Sequence, residues 1–381
     1  MKFDNIPVLS HVECASLIAA VGHKRTVLVQ GENGIGKTTM LTTMKRMPLF
    51  TRHIFPKPVD CAQLDVGDHI VPVPDTERGV TRGLPNERYG VNEKNQKGVN
   101  GAIPVVIAFD EMAKCAKHVQ ASIAPVFFDR RIGSYELPEG SVVVGFTNLS
   151  IEGLGDFMPA HTRNRLIVVT MRKPTMEEWV NDFAIPNNLS SEIIACAKQN
   201  EYFFDSFLDY EKGGKHAGKS LEKENPYIFN PRSQQSGYVT PRSLHATSDL
   251  VQTCAHLHPD VLLAAIGGTV GAEAANVIDT YIRFGRELPD KERIVADPDG
   301  CPLPDSPVGQ IVMVYKLVTC VQDRIEAAAI TKYAKRMKQE MTSLFCHTVA
   351  TNPDKVSKFA AIDMFTDMLK AHRIFFSAGN K

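Results

Sequence analysis

The sequence predicts an α/β protein: a parallel sheet covered by helices on both faces, followed by an all-helical region and a C-terminal helical extension. Three observations predict it. Short apolar segments alternate with helical ones over the first 173 residues. A glycine-rich segment, GENGIGKTT, joins one apolar segment to a helical run. After Pro174 the short apolar segments stop and helical spacing takes over.

Taken in order, residues 10–23 have helical character, with Val12, Leu17, Ile18 and Val21 apolar, and 25–30 (RTVLVQ) read as a buried strand. A helix then runs from the glycine-rich segment to about Met47, and 54–60 is the second strand. Residues 65–103 are polar and rich in Gly, Pro and Asn, too long for an ordinary connection, so the segment is either functional or mobile. Strands follow at 104–109 (PVVIAF), 142–147 (VVVGFT) and 165–170 (RLIVVT), with a helix over 111–130. Beyond Pro174, helices are expected over 175–205 and 241–283, separated by a polar, Lys-rich, mobile loop at 211–239. Residues 286–309 are rich in proline and charge and read as extended, and 310–346 and 355–373 return to helical spacing. Cuts near 173 and 284 divide the chain into 1–173, 174–283 and 284–381.

Composition narrows the function. Of 381 residues, 43 are Lys or Arg and 43 Asp or Glu, which argues against a protein held on DNA by bulk positive charge and leaves only a local basic patch open. No apolar run approaches the length of a membrane span, and the N-terminal MKFDNIPVLSHVE lacks a signal-peptide core. The eight cysteines are scattered with no CxxC pair, which reads as reduced thiols in a cytoplasmic protein.

Gly31-Glu32-Asn33-Gly34-Ile35-Gly36-Lys37-Thr38 fits G-x-x-x-x-G-K-[ST] in the required context, strand before and helix after. The glycines let the backbone wrap a phosphate, and the amides and the helix N-terminus supply donors. Lys37 is expected on the β- and γ-phosphates and Thr38 on Mg²⁺. Asp110-Glu111 follows the apolar run Val105–Phe109, where a strand-end carboxylate lies beside such a loop. Asp110 is expected to hold Mg²⁺ through water and Glu111 to polarise the attacking water. Asn148 ends the fourth strand, either to hold that water or as a turn-forming residue. Arg163, Arg165 and Arg242 are candidates to meet transition-state charge, with Arg130 and Arg131 as further ones.

Other features read more plainly. Arg88, Tyr89 and Lys94 within 65–103 either face a central channel or belong to a solvated insertion. Lys212, Lys215, Lys219, Lys223 and Arg232 make the 211–239 loop a solvated segment before a helix, with an acidic partner or nucleic acid as the sharper alternative. Cys254, His256 and His258 lack a fourth ligand at metal-site spacing. Val314, Leu317, Val318, Val321 and Ile325 share one helical face, for internal packing or for a partner.

The ordered set of motifs resembles an AAA+ ATPase, and more narrowly a MoxR-like one of the helix-2-insert clade. GENGIGKT matches the family's Walker A and VVIAFDEM its Walker B. FFDRRIGSYELPEGSVVVGFTN resembles the stretch leading to sensor 1, placed at Asn148. HTRNRLIVV resembles the arginine-finger stretch, with Arg165 the matching residue, Leu166 in place of the usual Phe, and Arg163 two residues away. PTMEEWVNDFA resembles the first lid helix, with Trp179 packing. TPRSL resembles sensor 2, giving Arg242. GGTVGAEAA resembles a stretch in bacterial and phage members, which implies a bacterial or phage-infected cell.

The resemblance implies an αβα core with strand order 5-1-4-3-2, a helical lid with sensor 2, a helix-2 insert within about 65–103, and a homo-oligomer, typically a hexameric ring. ATP is then bound between subunits. Gly31, Asn33, Gly34, Ile35, Gly36, Lys37, Thr38, Thr39 and Asp110 contact the nucleotide, and Thr38 and Asp110 hold Mg²⁺. Glu111 and Asn148 come from the same subunit and Arg165 from the next, while Arg242 acts in cis or in trans. The implied activity is ATP hydrolysis that remodels or activates a protein client in chaperone fashion, by resemblance a von Willebrand factor A-type protein. A DNA-directed helicase or translocase is disfavoured by the neutral charge and by the lack of a nucleic-acid module. An ATP-dependent assembly scaffold is disfavoured by the intact Asp110-Glu111 pair.

Overall fold

The computed structural model describes residues 2–3, 6–149, 163–211 and 213–378, with the backbone alone for 2–3 and 373–378. Of the residues singled out in the sequence, His161, Thr162 and Lys212 lie outside the described residues. The chain forms two compact units, Met1–Lys173 and Pro174–Lys381.

In the first unit five parallel strands form one sheet: β1 (Val27–Gly31), β2 (Val59–Asp60), β3 (Val106–Asp110), β4 (Val142–Asn148) and β5 (Ile167–Thr170). Their spatial order is β5-β1-β4-β3-β2, the 5-1-4-3-2 arrangement expected. Period-two alternation splits β1, β3 and β4 between two cores. Val27, Val29, Val106, Ala108, Val142, Val144 and Phe146 face one core, with Cys14, Ala15 and Ile18 of α1 (His11–Val21) and Met40 and Met44 of α2 (Met40–Lys45). Leu28, Ile107, Phe109 and Val143 face the other, with Val119, Ile123, Val126 and Phe127 of α3 (Lys117–Asp129). Burial on both faces is why these strands read as unbroken apolar runs. α1 starts at a capping box, in which the Ser10 hydroxyl accepts from the Glu13 amide and the Glu13 carboxylate accepts from the Ser10 amide.

Several elements differ from expectation for local reasons. The second strand is only Val59–Asp60 plus one bridge at Ile54, because Pro56 and Pro58 have no amide proton for a ladder. The helix expected from residue 111 starts at Lys117, after a tight 3₁₀ turn over Met112–Lys114. The 65–103 segment is largely built structure: an antiparallel hairpin pairs Ile70–Asp75 with Val80–Pro85. It is tied to a second, short hairpin (Arg131–Ile132 with Tyr135–Glu136) by the Ser134 amide donating to the Gly83 carbonyl at 3.2 Å.

The second unit is helical around one core running from Met176 to Met368, so residues 174–283 and 284–381 share it. Its helices include α4 (Ser191–Gln199), α5 (Pro241–Thr253), α6 (Pro259–Val270), α7 (Ala272–Arg286), α8 (Pro307–Cys320), α9 (Arg324–Lys335) and α10 (Gln339–Ala350). The 241–283 run is three helices, broken at Pro259 and at Gly271, whose φ of 87° favours glycine. The expected extended stretch holds a short helix, Lys291–Ala296. Val314, Leu317, Val318 and Val321 pack into this core, whereas Ile325 is 78% exposed. The 211–239 loop is tied down: the Asn225 side-chain amide donates to the Tyr202 carbonyl outside it, and Arg232 pairs with Glu211 at 2.9 Å within it.

Candidate phosphate-binding site

Register brings the predicted residues together. In parallel pairing Asn148 lies beside Gly31, and Asp60 beside Asp110, so the carboxyl ends of β1, β2, β3 and β4 share one edge. In open α/β sheets ligands sit at that edge. The loop after β1 takes left-handed backbone at Gly34 (φ 71°) and Gly36 (φ 91°), and a Cβ at Gly36 would come 2.9 Å from the Thr39 hydroxyl. Ile35 is buried with the β1 core, so it anchors the loop and offers a ligand only its backbone. Asn33 is half-buried, and Thr39 is exposed at the start of α2, its hydroxyl donating to the Gly36 carbonyl.

Lys37 is 8% exposed, and its ammonium donates to the Gly31 carbonyl at 2.9 Å, the Glu32 carbonyl at 2.7 Å and Asn148 Oδ1 at 2.8 Å. A buried cation needs such acceptors. Because an ammonium only donates, this contact fixes the Asn148 amide with its oxygen toward Lys37. The Thr38 hydroxyl donates to Asp110 Oδ2 at 2.7 Å, and the other carboxylate oxygen accepts from the Glu111 amide at 3.0 Å. Two side-chain pairs, Lys37–Asn148 and Thr38–Asp110, are thus gathered into one cluster through the consecutive loop residues Lys37 and Thr38.

Glu111 has left-handed backbone (φ 50°, ψ 39°), and its carboxylate pairs with the Lys114 ammonium at 3.1 Å. The sequence reading overlooked Lys114; its spacing of three from Glu111 was the available signal.

The arginines separate. Arg163 and Arg165 are exposed and precede β5, which runs parallel to β1 with Ile167 beside Val27. They stand at the amino edge of the sheet, the Lys37 cluster at the carboxyl edge. Four residues of strand, about 13 Å, lie between, longer than an arginine side chain. Arg165 is held over the Phe128 ring at 5.0 Å. Arg130 belongs to the fold: its guanidinium donates to the Gly22 carbonyl (2.7 Å), the Thr26 hydroxyl (2.6 Å) and the Phe127 carbonyl (3.1 Å). Burial, then repulsion from Arg25, lowers its pKa to about 10. Arg131 is exposed on its short hairpin. Arg242 is the second residue of α5, exposed beside the Thr240–Ser243 capping box, where the helix dipole disfavours a cation and favours an anion.

One expectation is corrected. Tyr89 does not face a channel: it is fully buried, and its hydroxyl meets His69 Nδ1 at 2.8 Å. Burial lowers the His69 pKa to about 4 and raises that of Tyr89. Arg88 pairs with Asp68 at 3.5 Å. His258 serves as the N-cap of α6, accepting from the Asp260 amide at 3.3 Å. Among the described residues no three His, Cys, Asp or Glu gather as a metal site, and no helix is long and apolar enough to cross a membrane.

No protein-family model matches the chain, and no curated protein matches it. Among solved structures, similarity is found to a mutant of RuvB from Thermotoga maritima, at 13% identity over 75% of this chain and 78% of that one, with a TM-score of 0.34. NtrX from Brucella abortus in complex with ATP is similar at 14% identity over 93% of this chain and 69% of that one, with a TM-score of 0.35.

Proposed function

We propose that the chain is a MoxR-like AAA+ ATPase that binds MgATP at the carboxyl edge of its sheet and hydrolyses it in a ring of identical subunits. The observation that carries this reading is the single cluster of Lys37, Thr38, Asp110 and Asn148 around the loop Gly31–Thr38. Loop amides and Lys37 bind the β- and γ-phosphates. The Thr38 hydroxyl and the Asp110 carboxylate are hard oxygen donors 2.7 Å apart, which suits Mg²⁺. When bound, the ion neutralises charge on the phosphates. Glu111 orients and deprotonates the attacking water, and the Asn148 amide, its oxygen turned to Lys37, offers its NH₂ to that water.

Transition-state charge calls for an arginine beside Lys37, and Arg165 and Arg163 of the same subunit stand at the opposite sheet edge. A neighbouring copy supplies it, so hydrolysis requires assembly. Arg242, exposed at a helix N-terminus, serves as sensor 2. Within this reading 1–173 is the nucleotide-binding core with its helix-2 insert, 174–283 the lid and 284–381 an extension. The energy is spent on a protein client, with a von Willebrand factor A-type protein as first choice, in a bacterial or phage-infected cytoplasm. The test is the particle mass of Glu111→Gln with and without MgATP. A nucleotide-dependent shift to a hexamer supports the reading, and a monomer with ATP bound overturns it.

A further inference from the structure

We infer that Lys114 is a positioning residue for Glu111, locking the carboxylate in the orientation from which it takes a proton off the attacking water. The inference rests on the reading of Glu111 as the base. Three features of the turn after β3 carry it. Glu111 adopts left-handed backbone, rare outside glycine, which redirects the chain at that residue. The Lys114 amide donates to the Glu111 carbonyl at 2.8 Å, closing a 3₁₀ turn over Met112–Lys114. The turn brings Lys114 back beside Glu111, and the ammonium reaches Oε2 at 3.1 Å.

The turn is itself fixed at both ends. Met112 is fully buried against β4, where Gly145 makes room for it: a Cβ at Gly145 would stand 2.5 Å from the Met112 sulfur. Cys115 is buried, and its carbonyl accepts from the Gln120 side-chain amide at 2.8 Å. With Met112 and Cys115 pinned inward, Glu111 and Lys114 are left about one-third exposed beside each other. A partly exposed ion pair adds little stability. Its effect is directional: one carboxylate oxygen is held, and the other is presented to water.

The experiment compares wild type, Lys114→Met, Lys114→Arg, Glu111→Gln and the Lys114→Met/Glu111→Gln double variant, each by MgATP hydrolysis and by binding of a fluorescent ATP analogue. Lys114→Met is expected to lower kcat roughly ten- to a hundredfold while KM and nucleotide affinity stay within about twofold, as for loss of orientation alone. Lys114→Arg, which keeps the charge and a donor, restores most of the rate. In the Glu111→Gln background Lys114→Met has no further effect, because its only route is through Glu111. If Glu111→Gln hydrolyses at the wild-type rate, the reading of Glu111 fails. If Glu111→Gln is dead and Lys114→Met keeps the wild-type kcat, or loses affinity in step with rate, the assignment of Lys114 alone fails.

Discussion

Mixing two inactive variants tests the shared site directly. Arg165 precedes β5, whose Ile167 pairs with Val27, whereas Lys37 follows Gly31 at the far end of β1. The gap of about 13 Å along the strand leaves Arg165 no path to its own subunit's phosphates. Arg165→Ala keeps Glu111, and Glu111→Gln keeps Arg165, so each supplies what the other lacks, and both retain Lys37 for nucleotide. Alone, each is expected to lose at least about a hundredfold in turnover, the scale for a general base or an arginine finger. Subunits in a ring meet head to tail, so a site is competent when a Glu111-intact subunit sits beside an Arg165-intact one. In a 1:1 random mixture that combination occurs at about a quarter of the interfaces, and activity should recover to about a quarter of wild type. The assay is MgATP hydrolysis across mixing ratios at fixed total protein. The recovery should peak at equal proportions. A mixture no more active than its components would refute the intersubunit placement of Arg165.

Other expectations follow from single contacts. Asn148→Ala removes an acceptor from a buried ammonium and should cost about 1–3 kcal/mol in denaturant unfolding, with slower hydrolysis. Arg130→Ala strips donors from the Gly22 and Phe127 carbonyls and should destabilise by about 2–4 kcal/mol, while folded protein still binds ATP, which isothermal titration reads. Gly145→Ala drives a Cβ into the Met112 sulfur and should lower kcat by displacing the Glu111 turn. Met112→Ala in the same chain should restore part of the rate, and failure of that rescue would mean that the turn is not the route. His69 is neutral in the fold down to about pH 4 and protonates near 6.5 when unfolded. The unfolded state thus binds more protons in that window, so stability should fall as pH drops through it, by up to about 3 kcal/mol at the acid end. Replacing His69 by Leu together with Tyr89→Phe should flatten that limb in urea melts.

The sheet was legible because β1, β3 and β4 are buried on both faces, which leaves apolar runs that need no partner to be recognised. The candidate phosphate-binding loop was legible because local backbone geometry asks for glycine at Gly34 and Gly36 and the following Lys-Thr completes the G-x-x-x-x-G-K-[ST] pattern. What escaped depends on distant partners or on single breakers. Val71 and Val73 alternate as a strand should, but Pro72 and Pro74 interrupt the pattern, and Arg82 of the partner strand bridges to Asp75, Glu93 and Tyr135, contacts that no local pattern announces. The burial of Tyr89 depends on His69, twenty residues away in sequence. The long helical runs broke at Pro259 and Gly271, where the apolar spacing continues across a backbone that cannot.

Position within a parallel sheet also explains why the proposed chemistry is divided between copies. All five strands point the same way, so every strand exit, with Asp60, Asp110, Asn148 and Gly31, lies at one edge, and every entry lies at the other. A residue placed directly before a strand stands a strand's length from a ligand bound beyond the strand exits of its own sheet. Arg163 and Arg165 precede β5, and Arg165 is steadied over Phe128 near the end of α3, a helix that returns from the carboxyl edge to the amino edge. The acidic and amide groups proposed to prepare water and the guanidinium proposed to answer charge are thereby kept on opposite edges of one subunit. Replacing Phe128 by Ala, which leaves every residue of the phosphate cluster untouched, should accordingly slow hydrolysis in the assembled ring without weakening ATP binding. An unchanged rate in that variant would show that the ring contact at Phe128 has no part in presenting Arg165.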